Sequence, residues 1–165
     1  MLQRFSSRMT WFSAVLSVLL ILGVWTWASE TAPHEMKLKG PGVAVMSSAS
    51  VKDTVAKLKK MVADNGMMVM GELNQGKTLS MTGLNVESET IFVGNPQVGK
   101  KAFAADPGVG IILPVRINVH VCPMGGSIVR YIPPSRLLSE FNNADVQSVG
   151  LMLDEKLSKM VGMIK

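Results

Sequence analysis

An α+β fold is predicted for the larger part of this 165-residue chain, and three observations predict it. Leu113, Val115, Ile117, Val119 and Val121 alternate with Pro114, Arg116, Asn118, His120 and Cys122. A period of two places those apolar and polar sets on opposite faces of a strand. Near the C-terminus Val149, Met152, Leu153, Leu157, Met160, Val161 and Ile164 recur at helical spacing and make an apolar stripe. The order of elements is strand, helix, strand, small helix, three strands and helices, a mixture of hairpin and flanking helices that reads as α+β.

A single hydrophobic helix is expected ahead of that domain. Arg4 and Arg8 precede a stretch without charge that lasts until Glu30, and residues 11–28 read WFSAVLSVLLILGVWTWA. A basic start, an apolar middle and small residues at Thr26 and Ala28 have the layout of a secretory signal. The same run is long enough to cross the hydrocarbon core as a helix. Trp11 at one end and Trp25 with Trp27 at the other resemble interfacial aromatic belts. Residues 1–28 are therefore read as a retained anchor that meets the membrane through residues 9–28, with a cleaved signal as the alternative. Either way the two arginines hold the N-terminus in the cytoplasm. The expected location is the cell envelope: the periplasmic face of the cytoplasmic membrane, or secreted or periplasmic if the leader is cleaved.

Residues 29–42, SETAPHEMKLKGPG, are polar with two prolines and two glycines and read as a flexible linker. The folded domain is assigned to residues 43–165. Residues 43–46 form a short apolar strand. Ser50 opens a helix, with Asp53 three residues on as in a capping box, and Val51, Val55, Leu58 and Val62 make its apolar face. Asn65 and Gly66 close it as a left-handed cap would. Residues 67–73 are a second strand, 75–82 a short helix ended by Gly83, and 90–94 a buried strand of β-branched and aromatic residues. A helix over 97–106 stops at Asp106-Pro107-Gly108. The long alternating strand is placed at 111–122 and its hairpin partner at 127–132. Residues 135–141 form a short helix, 142–147 a polar break, and 148–164 the last helix.

Charge and cysteine content exclude several classes. All 12 acidic residues and all basic ones except Arg4 and Arg8 follow the leader, so the exported part is only weakly basic. It carries no Arg/Lys stripe with interleaved aromatics, and no nucleic-acid partner is expected. Cys122 is the one cysteine, so no internal disulfide can form. The sequence lacks G-x-S-x-G, H-E-x-x-H and G-x-x-x-x-G-K-[ST]. It also lacks Cys-x-x-Cys-His, which excludes covalent haem. Of its two histidines, His34 lies in the linker. No catalytic residue is assigned.

Two groups of residues remain as candidates. His120 and Cys122 share a strand face, Met124 follows in the turn, and His, Cys and Met suit copper. Two strand neighbours supply only half a site, and a polar outer face with an incidental thiol explains the same residues. Arg116 and Asn118 lie on that face too and are candidate ligand-binding residues. Asn95 and Pro96, after Gly94, can shape a ligand pocket at a strand end, or can simply form a tight turn. Met67, Met68, Met70 and Met81 are read as flexible core fillers rather than metal ligands.

The stretch from Gly71 to His120 resembles the domain-of-unknown-function 302 family. The features that carry the likeness are Gly94-Asn95-Pro96 after an apolar strand, Gly99 in the next segment, Leu113-Pro114 opening the long strand, and Pro134 followed by Leu137 and Leu138. The resemblance implies a sheet of about five strands, mostly antiparallel, with helices on one face, commonly as a homodimer, and it implies no established activity. Many members carry an Asp-His pair after the second strand, where this chain has Asn74-Gln75. Amides cannot exchange protons as a carboxylate and imidazole can, so chemistry that rests on such a pair is not expected here.

The function expected from these readings is a non-catalytic binding or accessory domain held outside the cytoplasmic membrane. It would serve a small ligand or a partner in a membrane assembly. The alternative is a copper or thiol-redox protein that completes its site across a dimer interface from His120, Cys122 and Met124.

Overall fold

The computed structural model describes residues 40–164, which fall in the unit Leu38–Lys165. The expected anchor at 1–28, the membrane contact at 9–28 and the linker up to residue 39, His34 included, lie outside the described residues. No helix among the described residues is long and apolar enough to cross a membrane.

Five strands make one sheet in the order β1-β5-β4-β3-β2, and all four neighbouring pairs are antiparallel. They are β1 (Val43–Ser47), β2 (Met68–Asn74), β3 (Ser88–Gly94), β4 (Val115–Val121) and β5 (Ser127–Tyr131). Strands β2 to β5 follow one another as a meander, whereas β1 sits at the far edge beside β5. Helix α1 (Val51–Asp64) makes the crossover from one edge to the other. The sequence encodes it locally. The Ser50 side chain accepts from the Asp53 amide at 3.1 Å and donates to the Asp53 carboxylate at 2.8 Å, and Gly66 takes φ +65° just past the end. Val51, Val55, Leu58, Met61 and Val62 are buried along one side.

The core lies on one face of the sheet. Ile91 and Val93 from β3, Val115, Ile117 and Val119 from β4, and Val129 and Tyr131 from β5 share one parity and one apolar cluster. Leu58 and Val62 of α1 and Val149, Leu153, Leu157 and Met160 of helix α5 (Ala144–Gly162) complete it. Each such aliphatic chain removed from water contributes about 1.5–3 kcal/mol before the entropy of ordering is subtracted. One polar knot sits inside. Thr54 on α1 bonds Ser47 at 3.1 Å and Ser127 at 2.8 Å, all three buried, which ties α1 to β1 and β5.

Three expectations are corrected. The long strand does not begin at 111. Asp106 caps a 3₁₀ turn over Pro107–Ile111 by accepting from Gly108 N at 2.7 Å, the Leu113–Pro114 peptide is cis, and β4 starts only after Pro114, which has no N–H to give a ladder. The last helix starts at Ala144 rather than 148, because the Asn143 side chain accepts from the amides of Asp145 and Val146 and so caps a turn within the apparent polar break. Of the methionines read as core fillers only Met67 is buried, while Met68, Met70 and Met81 are exposed. β2 is an edge strand with an irregularity between Val69 and Gly71, and Met70 is the residue that this bulge leaves out of the pairing.

The remaining short helices are α2 (Gln75–Ser80), capped by Asn74, α3 (Pro96–Ala105), capped by Asn95, and α4 (Pro134–Leu138). Helix α4 lies close to α5 at Gly150, where an added Cβ would come within 2.7 Å of Ser135 Cα.

Candidate functional site

The strand parity that buries Ile117 and Val119 turns Arg116, Asn118 and His120 to the opposite face. Register extends that face across the sheet: Asn118 stands opposite Thr90 on β3 and Arg130 on β5, and Arg116 stands opposite Phe92. The acidic residues of the strands, Glu72 and Glu89, pair with Ile91 and Val119 and so belong to the helix-covered side. A shallow trough of about 380 Å³ runs over this outer face, lined among others by Leu73, Gln75, Phe92, Arg116, Asn118 and Arg130. Among the described residues no acidic side chain lines it.

The trough's polar groups are partly engaged. Asn118 Nδ2 donates to Ser88 Oγ, Glu89 O and Thr90 Oγ1. Gln75 Nε2 donates to Thr90 Oγ1 at 2.5 Å, while Gln75 Oε1 is buried without a partner among the described residues. Arg130 Nη1 donates to Pro41 O at 3.4 Å, and Gly40 lies against its guanidinium, so residues 40 and 41 help aim it. Arg116 is exposed and stands next to Phe92 on the adjoining strand, a separation at which a guanidinium can lie over an aromatic face. An exposed guanidinium beside an aromatic ring, with a second guanidinium on the next strand, favours a bound anion. Arg130 was not singled out from sequence, and Gln75 stood out only as half of the Asn74-Gln75 pair. The signal for Arg130 was the short turn over 123–126, which fixes the hairpin register and sets Arg130 opposite Asn118. Gln75 is fixed by a contact with β3 that no local pattern announces.

Asn95 and Pro96 lie elsewhere, on the helix-covered side at the end of β3. Asn95 Oδ1 accepts from the amides of Gln97 and Val98, and its Nδ2 donates to Gly66 O at 2.6 Å. Both its polar ends are occupied in fastening α3 to the end of α1. Pro96 is the first residue of α3, where its missing N–H costs nothing. The segment from Gly94 to Lys101 comes within one residue of a phosphate-loop pattern, yet the helix begins at Pro96 and Gly99 lies inside it, so no loop remains to cradle a phosphate. The two residues do border an apolar cavity of about 140 Å³.

The copper candidates sit in different surroundings. Cys122 is 3% exposed and Met124 is 65% exposed. His120 Nδ1 lies 3.0 Å from Val121 O, which leaves Nε2 as its outward nitrogen. Among the described residues no three His, Cys, Asp or Glu side chains group to hold a metal ion. Of the Asn74-Gln75 pair, Asn74 is structural: its Oδ1 caps α2 through Lys77 N at 2.7 Å.

Comparison with known proteins gives the fold a relative. A family model described as "Domain of unknown function DUF302" matches residues 43–164. A crystal structure of an uncharacterized conserved DUF302 protein from Bacillus stearothermophilus is similar with a TM-score of 0.69 at 18% identity, over 74% of this chain and 97% of that one. At that identity the likeness speaks for the fold. No curated protein matches.

Proposed function

The chain belongs to the DUF302 family of domains of unknown function, and from that premise we propose that it is a non-catalytic binding domain that takes a small anionic ligand in the trough of its outer sheet face. The observation that carries this reading is Arg116, exposed beside Phe92 on the outer face, with Arg130 on the adjacent strand lining the same trough. Arg116 supplies the anion contact, Arg130 is aimed by its bond to Pro41, and Gln75 Oε1 accepts a hydrogen bond from a ligand hydroxyl or amide. Phe92 and Leu73 flank the site, so the ligand carries an apolar portion beside its charge.

The reading places the domain outside the cytoplasmic membrane, held by residues 9–28 or released after cleavage of the leader. A tether raises the local concentration of the domain near an envelope partner such as a membrane respiratory or transport assembly. A homodimer, the assembly that the family resemblance implies, is part of the proposal. Sedimentation tests the dimer, and intact mass after detergent extraction decides between anchor and cleaved signal.

The site is tested by calorimetric titration of the purified full-length protein with phosphate, sulfate and short-chain carboxylates. A charge-assisted hydrogen bond contributes about 1.5–3 kcal/mol, so Arg116→Ala is expected to weaken the best of these at least tenfold. Equal affinity in wild type and variant would sink the reading.

A further inference from the structure

We propose that the apolar cavity beneath α3, on the helix-covered side of the sheet, is a second binding site, specific for one small uncharged ring of about benzene's size. Its floor is formed by Val93, Val115 and Leu153, all buried, and its walls include Val98 and Leu113. Met70 and Phe103, 59% and 44% exposed, line the same space and reach solvent; they form the rim through which a ligand enters.

Volume, chemistry and rim each select the ligand. The space is about 140 Å³, and an apolar cavity of about 150 Å³ stays dry and takes up benzene or xenon. Among the described residues Asn95 is the one polar side chain on its wall. Its Oδ1 is held by Gln97 N and Val98 N and its Nδ2 by Gly66 O. Only the second Nδ2 hydrogen remains beyond those bonds, with no acceptor and no charge on the wall, and a polar ligand would lose most of its hydration without return. The Met70 sulfur is aimed at this space: a Cβ built on Gly94 would meet Met70 Sδ at 2.8 Å, and Gly94 is itself part of the lining. A thioether and a phenyl ring at the entrance favour an aromatic guest, through sulfur–ring and ring–ring contacts. Met70 is unbranched and adjusts to guests of slightly different outline. This site does not depend on the anion trough, which lies on the other face.

Benzene is the probe, used with the full-length protein. A saturable rise in melting temperature with benzene concentration is expected, since a ligand that binds only the folded state raises its stability. Nuclear Overhauser contacts should run from benzene to the Met70 ε-methyl and the Leu153 methyls. Val98→Phe fills the space and should abolish the shift. Met70→Ala, at an exposed position that leaves the fold intact, should weaken binding several-fold. The proposal is overturned by an unsaturable or absent shift in wild type, by contacts to methyls outside the cavity, or by unchanged benzene affinity in Met70→Ala.

Discussion

Asn95 holds two elements with one side chain. Its oxygen closes the first turn of α3 and its nitrogen reaches Gly66 O across 29 positions of sequence. Asn95→Ala removes a helix cap and leaves a carbonyl without its donor, and is expected to cost about 2 kcal/mol by chemical denaturation. Tyr131, the chain's one tyrosine, makes a different kind of prediction. Burial pushes its hydroxyl above the usual phenol value, and the Asp154 carboxylate adds to the shift. The folded state therefore keeps the proton longer than the unfolded state. The stability this confers is fully present below the unfolded value near pH 10 and is lost as pH rises through the higher folded value. Tyr131→Phe should leave stability at pH 7 nearly unchanged and flatten the decline between pH 10 and 12, as read from urea midpoints. At this scale the sequence was informative about capping residues whose neighbours are local, Ser50 with Asp53 above all. It was silent about Thr54, whose partners Ser47 and Ser127 meet it only once three elements have come together.

Two glycines in helices separate local propensity from packing. Gly99 lies in α3 with nothing within 4 Å of an added Cβ, whereas Gly150 lies in α5 with Ser135 Cα at 2.7 Å. Gly99→Ala should stabilise by about 0.5–1 kcal/mol, the helix-interior cost of glycine. Gly150→Ala should destabilise despite the same gain in propensity, because α4 must move away. A thermal melt of each variant checks the opposite signs. Elements with strong periodicity, α1, β3 and the body of α5, were legible in the residue pattern. The segment ahead of β4 was not. Alternation continues through Leu113 and Pro114, but a capped 3₁₀ turn and a proline without an N–H interrupt the strand. Met68 and Met70 were misread because apolarity alone does not distinguish an edge strand from a central one.

For the molecule as a whole, mixed elements with a C-terminal hairpin-and-helix half pointed to α+β, and the structure is a five-stranded antiparallel sheet with a helical layer on its core face. The candidate residues divided by face. Arg116 and Asn118 were legible as neighbours because strand parity needs only counting. Asn95 and Pro96 came to rest beside a cavity whose floor residues Val115 and Leu153 arrive from distant positions and left no mark near them in the sequence.

The placement of β1 carries a consequence for how the chain is made. Its partner among the described residues is β5 alone, so the first strand of the sheet to emerge during synthesis waits for the last. Strands β2 to β5 can zip together in order as they appear. β1, and Thr54 of α1 where it meets Ser127, must stay unsatisfied until Ser127–Tyr131 arrives, because a contact so distant along the chain closes late. Nascent chains halted before β5 should therefore be open to protease at β1, and those released after it should be closed.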